Sequence, residues 1–132
     1  MRKIMVKSSV KGIKRKKPRK PKSEKAIKND IRARMRQLFI WYSEAFKTCK
    51  NKAKISYGLF QCEACAAIVK DIAVDHIDPV VPIGTQTADL SLDDYFKNLF
   101  CKADNLQALC DNCHSTKTDL ENKARLEAKK KK

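Results

Sequence analysis

Cys62-Glu63-Ala64-Cys65 and Cys110-Asp111-Asn112-Cys113-His114 bracket the middle of the chain, and between them lie Asp75-His76-Ile77-Asp78-Pro79 and Asn105-Leu106-Gln107-Ala108-Leu109. Two Cys-x2-Cys knuckles supply four thiolates to one ion without strain, a ligand set that suits tetrahedral Zn2+ and contributes folding energy directly. Cys62, Cys65, Cys110 and Cys113 are therefore read as a structural zinc site. The chain has 2 histidines. Both fall in or beside this frame, which a simple zinc ribbon does not require.

The order Asp75-His76-Ile77 with Pro79, then Asn105-Leu106-Gln107, then Leu109-Cys110-x2-Cys113-His114 and Lys117, resembles the HNH endonuclease family, in its zinc-stapled phage and bacterial branch. The likeness covers roughly residues 60 to 120. It implies an α+β fold: a small ββα-metal core with an Asp-His pair on the first strand and a histidine early in the helix. It also implies one divalent cation, Mg2+ or Mn2+, separate from the four-cysteine zinc.

By the same resemblance His76 matches the general base that takes a proton from water. Imidazole is the side chain whose ordinary titration lies nearest neutrality. Asp75 and His114 match the ligands of the divalent ion, a carboxylate oxygen suiting a hard cation. Asn105 matches the residue that fixes the loop and orients His76. Products would carry 5′-phosphate and 3′-hydroxyl ends. Relatives of the colicin type place a further histidine where this chain has Thr118, which leaves fewer nitrogen donors and favours Mg2+ or Mn2+ over softer ions. Asp78 is read chiefly as a turn residue before Pro79, and Lys117 either as a phosphate contact or as a solvated helix lysine.

Charge is distributed unevenly around that centre. The net charge is +15 over 132 residues. Residues 1 to 22 hold eleven Lys or Arg and no acid, and residues 129 to 132 are four lysines, so the whole excess sits in the two ends. Residues 23 to 54 have nine basic and three acidic residues, whereas residues 55 to 128 have six and twelve. The motif region on its own would repel a phosphate backbone. The expected DNA-binding residues are accordingly Lys14, Arg15, Lys16 and Lys17 in a disordered basic arm (1-22), and Arg32 and Arg36 on a basic amphipathic helix (23-54), with Lys117 beside the motif. The lysine run serves equally as a solubilising tail or, in a eukaryotic host, an import signal.

Ser23 caps the helix expected from about Glu24 to Lys50, whose apolar positions Ile27, Ile31, Met35, Leu38, Tyr42 and Phe46 recur at three and four residues. Lys25, Lys28, Arg32 and Arg36 lie on its other face, laid along a duplex or simply solvated; Phe39 and Trp41 are read as packing residues. Ile68 to Val74 reads as a strand delivering Asp75 and His76. Neighbours on a regular strand point to opposite faces, so the chain is expected to leave sheet geometry there. Gly84-Thr85-Gln86-Thr87 reads as a loop able to touch substrate, Ser91 caps a short helix from about Leu92 to Phe100, Leu106 to Leu109 forms a second strand, and a helix starts near Asp111. In that last helix Asp119 and Lys123, and Glu121 and Arg125, are expected ion pairs. Cys49 and Cys101 are left as small buried apolar residues.

The length fits one domain, the HNH unit at 55-128 with a basic tail at 129-132, and the core is small enough to benefit from a zinc staple. Cys-x2-Cys spacing and the lack of a signal peptide argue for reduced thiols in a bacterial or phage-infected host cytoplasm, and no apolar run is long enough to span a membrane. The expected activity is metal-dependent DNA hydrolysis, as an endonuclease or nickase. The alternatives are a non-catalytic zinc-stabilised nucleic-acid-binding protein, and a nicking subunit active only with phage packaging or recombination proteins. The chain is expected to be a monomer or weak dimer.

Overall fold

The computed structural model describes residues 14–131; the start of the basic arm and Lys132 lie outside the described residues. The fold is α+β, built from four helices and two small antiparallel sheets among those residues. Residues 14 to 22 have no regular structure, and Lys14, Arg15, Lys16 and Lys17 are exposed.

The single basic helix expected from Glu24 to Lys50 is two helices, α1 (Glu24–Tyr42) and α2 (Glu44–Ala53), hinged at Ser43. Ser23 caps α1 through Ala26 N–H. Ser43 is buried; its N–H donates to the Phe39 carbonyl, while its Oγ accepts from Phe46 N–H at 3.2 Å. One serine thus ends the first helix and starts the second, satisfying end groups that would otherwise be orphaned. The bend packs Phe39 against Phe46 edge to face at 5.5 Å.

It also changes which face is buried. Arg32, Met35, Phe39 and Phe46 point inward, whereas Ile27, Ile31, Leu38, Trp41 and Tyr42 are exposed. Arg32, expected on the solvent side for DNA, is 4% exposed. Trp41, expected to pack, is 55% exposed.

Past α2 the chain forms a hairpin, β1 (Lys54–Ser56) and β2 (Leu59–Gln61), turning at Tyr57-Gly58 with Gly58 at φ 71°. A side chain rarely adopts that conformation, which explains the glycine. β2 then pairs with β3 (Ile68–Val69), so the strand expected from Ile68 to Val74 is split in two. Its second part, β4 (Ala73–His76), pairs antiparallel with β5 (Leu106–Leu109) in the other sheet.

Between them α3 (Leu92–Leu99), capped by Ser91 as its sequence suggests, packs against α1, and 3-10 turns form at Thr87–Asp89 and Ala103–Asn105. The helix expected to start near Asp111 is α4 (Asp111–Lys130). The main core joins Phe39, Cys49 and Ala53 to Tyr95, Leu99, Leu106 and Ala108; a second cluster gathers Cys62, Leu109 and Cys110.

Candidate functional site

Sγ atoms of Cys62, Cys65, Cys110 and Cys113 lie within 4.8 Å of one another. Sulfurs at ~2.3 Å from a tetrahedral zinc sit roughly 3.8 Å apart, and Cys65 Sγ is 3.6 Å from Cys110 Sγ. The donor chemistry and spacing fit a structural metal such as zinc.

The cluster is assembled by backbone bonds. Cys62 N–H donates to the Ala67 carbonyl and Ala66 N–H to the Cys62 carbonyl, which folds the first knuckle, with Ala66 at φ 61°. Glu63 ties that knuckle to β5 twice: its N–H donates to the Ala108 carbonyl at 2.9 Å, and its carboxylate accepts from Ala108 N–H at 3.0 Å. The second knuckle is the first turn of α4, where His114 N–H donates to the Cys110 carbonyl.

The thiols are not equivalent. Burial alone would raise the Cys62 thiol, but hydrogen bonds from the backbone at Cys110, Cys65 and Ala64, with the Cys65 side chain, bring it down to about 6. Contacts with the Cys65, Cys110 and Cys62 sulfurs push Cys113 up to about 12. A cation among the four sulfurs would favour release of the Cys113 proton.

The β4–β5 ladder places the remaining residues. Asp75 is opposite Gln107 and His76 opposite Leu106, so the chain keeps sheet geometry through both, contrary to expectation. Alternation then sends the two side chains to opposite faces. Asp75 faces α4: its Oδ1 is 3.7 Å from His114 Nε2, its Oδ2 is 2.7 Å from Lys117 Nζ, and Gln107 Nε2 approaches to 3.5 Å. His76 faces the main core: its Nε2 is 2.8 Å from the Leu99 carbonyl, and its ring lies 5.1 Å from that of Phe39. A carbonyl oxygen only accepts, so Nε2 carries a proton, and in the neutral form of the ring the lone pair lies at Nδ1.

Asn105 holds the turn after β4 rather than the imidazole. Its Oδ1 accepts from Asp78 N–H at 2.9 Å, its Nδ2 donates to the Asp78 carbonyl at 3.4 Å, and its own carbonyl accepts from Ile77 N–H. His76 is oriented by Leu99 instead. Asp78 accordingly contributes backbone to that turn.

Lys117 is neither a free phosphate contact nor a solvated lysine. Its ammonium donates to Asp75, to the His76 carbonyl at 2.8 Å, and to Glu121 one turn on. Partial burial pulls its pKa down, but Asp75 and Glu121 outweigh that and hold it above the ordinary lysine value. Glu121 is thus committed to Lys117 and not to Arg125, which donates to the Val81 carbonyl at 2.6 Å; no Asp119–Lys123 pair forms among the described residues either. Thr118 turns its hydroxyl back to the His114 carbonyl at 2.9 Å. Arg36 donates to the Tyr95 hydroxyl at 2.9 Å.

The structure therefore brings together Asp75, His114 and Lys117, sets His76 on the other side of the same strand, and uses Asn105 as a loop clamp. Sequence reading gave Glu121 the wrong partner and missed Leu99 and Glu63. The four-residue step from Lys117 to Glu121 was a signal for the right one. Leu99 acts through a backbone carbonyl, which no residue type announces. No helix among the described residues is long and apolar enough to cross a membrane. Comparison with family models, curated proteins and solved structures finds no match for this chain.

Proposed function

We propose that this chain is a metal-dependent DNA endonuclease or nickase of the HNH type, with β4, β5 and α4 as its ββα core. The observation that carries the reading is the pairing of Asp75 with His114 at 3.7 Å; on the other side of the same strand, His76 has one ring nitrogen bonded to the Leu99 carbonyl, which leaves the second for a proton. A carboxylate oxygen and an imidazole nitrogen at that separation are able to share one small divalent cation, Mg2+ or Mn2+, which would supply a Lewis acid for a phosphoryl oxygen.

The chain's own residues do the rest. Leu99 and Phe39 hold the His76 ring, so that Nδ1 takes a proton from water as general base. Asn105 keeps the Ile77-Asp78 turn in place behind it. The four cysteines fasten the start of α4, and with it His114, to the first knuckle. DNA is attracted by the basic arm, including Lys14, Arg15, Lys16 and Lys17, and by exposed lysines of α1 and α2; Lys117, engaged with Asp75 and Glu121, plays no direct part in that attraction.

A second reading has its own observation. Asp75 and His76 face opposite sides of β4, and the Asp75 carboxylate is already neutralised by Lys117. Both facts suit a zinc-stabilised nucleic-acid-binding protein, or a subunit that nicks only once phage packaging or recombination proteins rearrange it. Supercoiled plasmid incubated with the protein and Mg2+ or Mn2+ separates these readings. Relaxed or linear product, lost in His76→Ala while DNA binding persists, is the result expected of the enzyme. Binding without cleavage under either ion leaves the second.

A further inference from the structure

Away from the thiol cluster, a cleft of about 750 Å3 opens between the first turns of α1, the 84–88 loop and the last turns of α4. Lys25, Lys28, Arg32, Arg125 and Lys129 line it against one carboxylate, Glu24, a surplus of four positive charges. Glu24 is held by Lys28 at 2.8 Å. Thr85, Gln86 and Thr87 add hydroxyl and amide groups without any negative charge.

Arg32 sets this cleft apart from an ordinary basic surface. It is 4% exposed, yet among the described residues no carboxylate pairs with it. Its guanidinium donates to Asn29 Oδ1 at 2.9 Å and to the Thr87 carbonyl at 3.3 Å, and it lies 6.0 Å from the centre of the Tyr95 ring. Its Nε is buried with no partner. A buried cation held only by neutral oxygens and a ring face is poorly compensated, and an anion in the adjoining cleft would supply what is missing.

We infer that this cleft is a binding site for phosphate groups. Cations spread over two helices, with neutral donors between them, match several negative oxygens spread over a volume better than one carboxylate, and guanidinium groups suit phosphate geometry. Two sources offer that chemistry: a nucleic-acid backbone and a free polyphosphate. A backbone is suitably placed. Arg125 is eleven residues along α4 from His114, about 16 Å at ~1.5 Å per residue, and successive phosphates on a strand advance ~3.4 Å along a duplex. A strand passing His114 reaches the cleft within about five nucleotides. The site itself does not depend on cleavage.

The test uses the full chain with its metal in place, titrated with inorganic pyrophosphate and separately with a short DNA duplex, at constant ionic strength set with chloride. Lys25→Glu/Lys129→Glu changes two exposed residues and should fold. Pyrophosphate should raise the melting temperature of the wild type, and the double variant should bind it at least tenfold more weakly. Arg32→Gln, where it folds, should lose the same response. Displacement of duplex by pyrophosphate, with duplex binding also weakened in the double variant, identifies the backbone as the ligand; duplex binding that neither responds identifies a free polyphosphate. Equal pyrophosphate binding by wild type and double variant overturns the site, as does equal stabilisation by chloride alone. Plasmid cleavage plays no part in these readouts, so the site and the nuclease reading stand or fall separately.

Discussion

The Lys117 ammonium lies 2.7 Å from Asp75 Oδ2, on the carboxylate that also faces His114. On the nuclease reading, a lysine and a divalent cation are thus rivals for the same carboxylate. Lys117→Met frees Asp75 of one charge-assisted hydrogen bond, worth roughly 1.5 kcal/mol or about a tenfold change in an equilibrium. Mn2+ binding to the zinc-loaded protein, followed by electron paramagnetic resonance, should tighten by about that factor. Unchanged or weaker Mn2+ binding would show that Lys117 supports the cation rather than competing with it.

The four thiols and the two spare cysteines should separate cleanly. Cys62→Ala or Cys113→Ser removes a ligand from a cluster that joins the first knuckle to the start of α4. Loss of bound zinc and of the cooperative unfolding transition is expected for both, because such a site is part of the folding free energy. Cys49→Ala should keep its zinc, measured by release to a chromophoric chelator. Equal zinc loss in all three variants would mean that the thiols are wrongly assigned.

Ser43 caps two helices at once from a buried position. Ser43→Ala leaves Phe46 N–H without its side-chain acceptor, and loss of an N-cap costs about 1 kcal/mol. Urea unfolding should show a lower midpoint with an unchanged slope. A steeper or shallower slope would indicate that alanine has straightened the hinge and changed the buried surface.

That hinge also shows how far the sequence could be read. The Cys-x2-Cys pairs, the Ser23 and Ser91 caps and the Leu106 strand are local signals, each written in residues close together in the chain. Ser43 looked like one polar residue inside a helical pattern because its burial depends on Phe39 reaching Phe46 and Phe100, a tertiary contact. Choosing Ile27, Ile31 and Leu38 as the inner face failed for the same reason: periodicity locates a stripe, while the partner decides which stripe is covered. At the site, the association of Asp75 with His114 was what the family resemblance implied, and no local pattern announced it. The anchor of His76 was not legible, since it is the carbonyl of Leu99.

The basic arm should act through long-range attraction. Deleting residues 1 to 22 removes eleven of the chain's 30 Lys and Arg. Affinity for duplex DNA should fall most at low salt, and the dependence of log affinity on log salt should become shallower, because fewer counterions are released on binding. Fluorescence anisotropy across a salt series measures that slope directly. An unchanged slope assigns the attraction to α1 and α2 alone.

Cys49 should leave its mark on stability at alkaline pH. The thiol is 5% exposed in the main core. Burial, with a smaller push from the Glu63 carboxylate against a pull from Lys52, raises its pKa from 9.0 to about 11. A group with a raised folded pKa contributes stability that is full below its unfolded value and is lost as pH climbs through the folded one. The wild type should therefore lose stability relative to Cys49→Ala between pH 9 and about 11. Lysines and tyrosines titrating in the same window are common to both proteins and cancel in the difference. Denaturant midpoints measured at intervals across the window give that difference directly, and parallel curves would show that the thiol ionises as freely in the folded protein as in the unfolded chain.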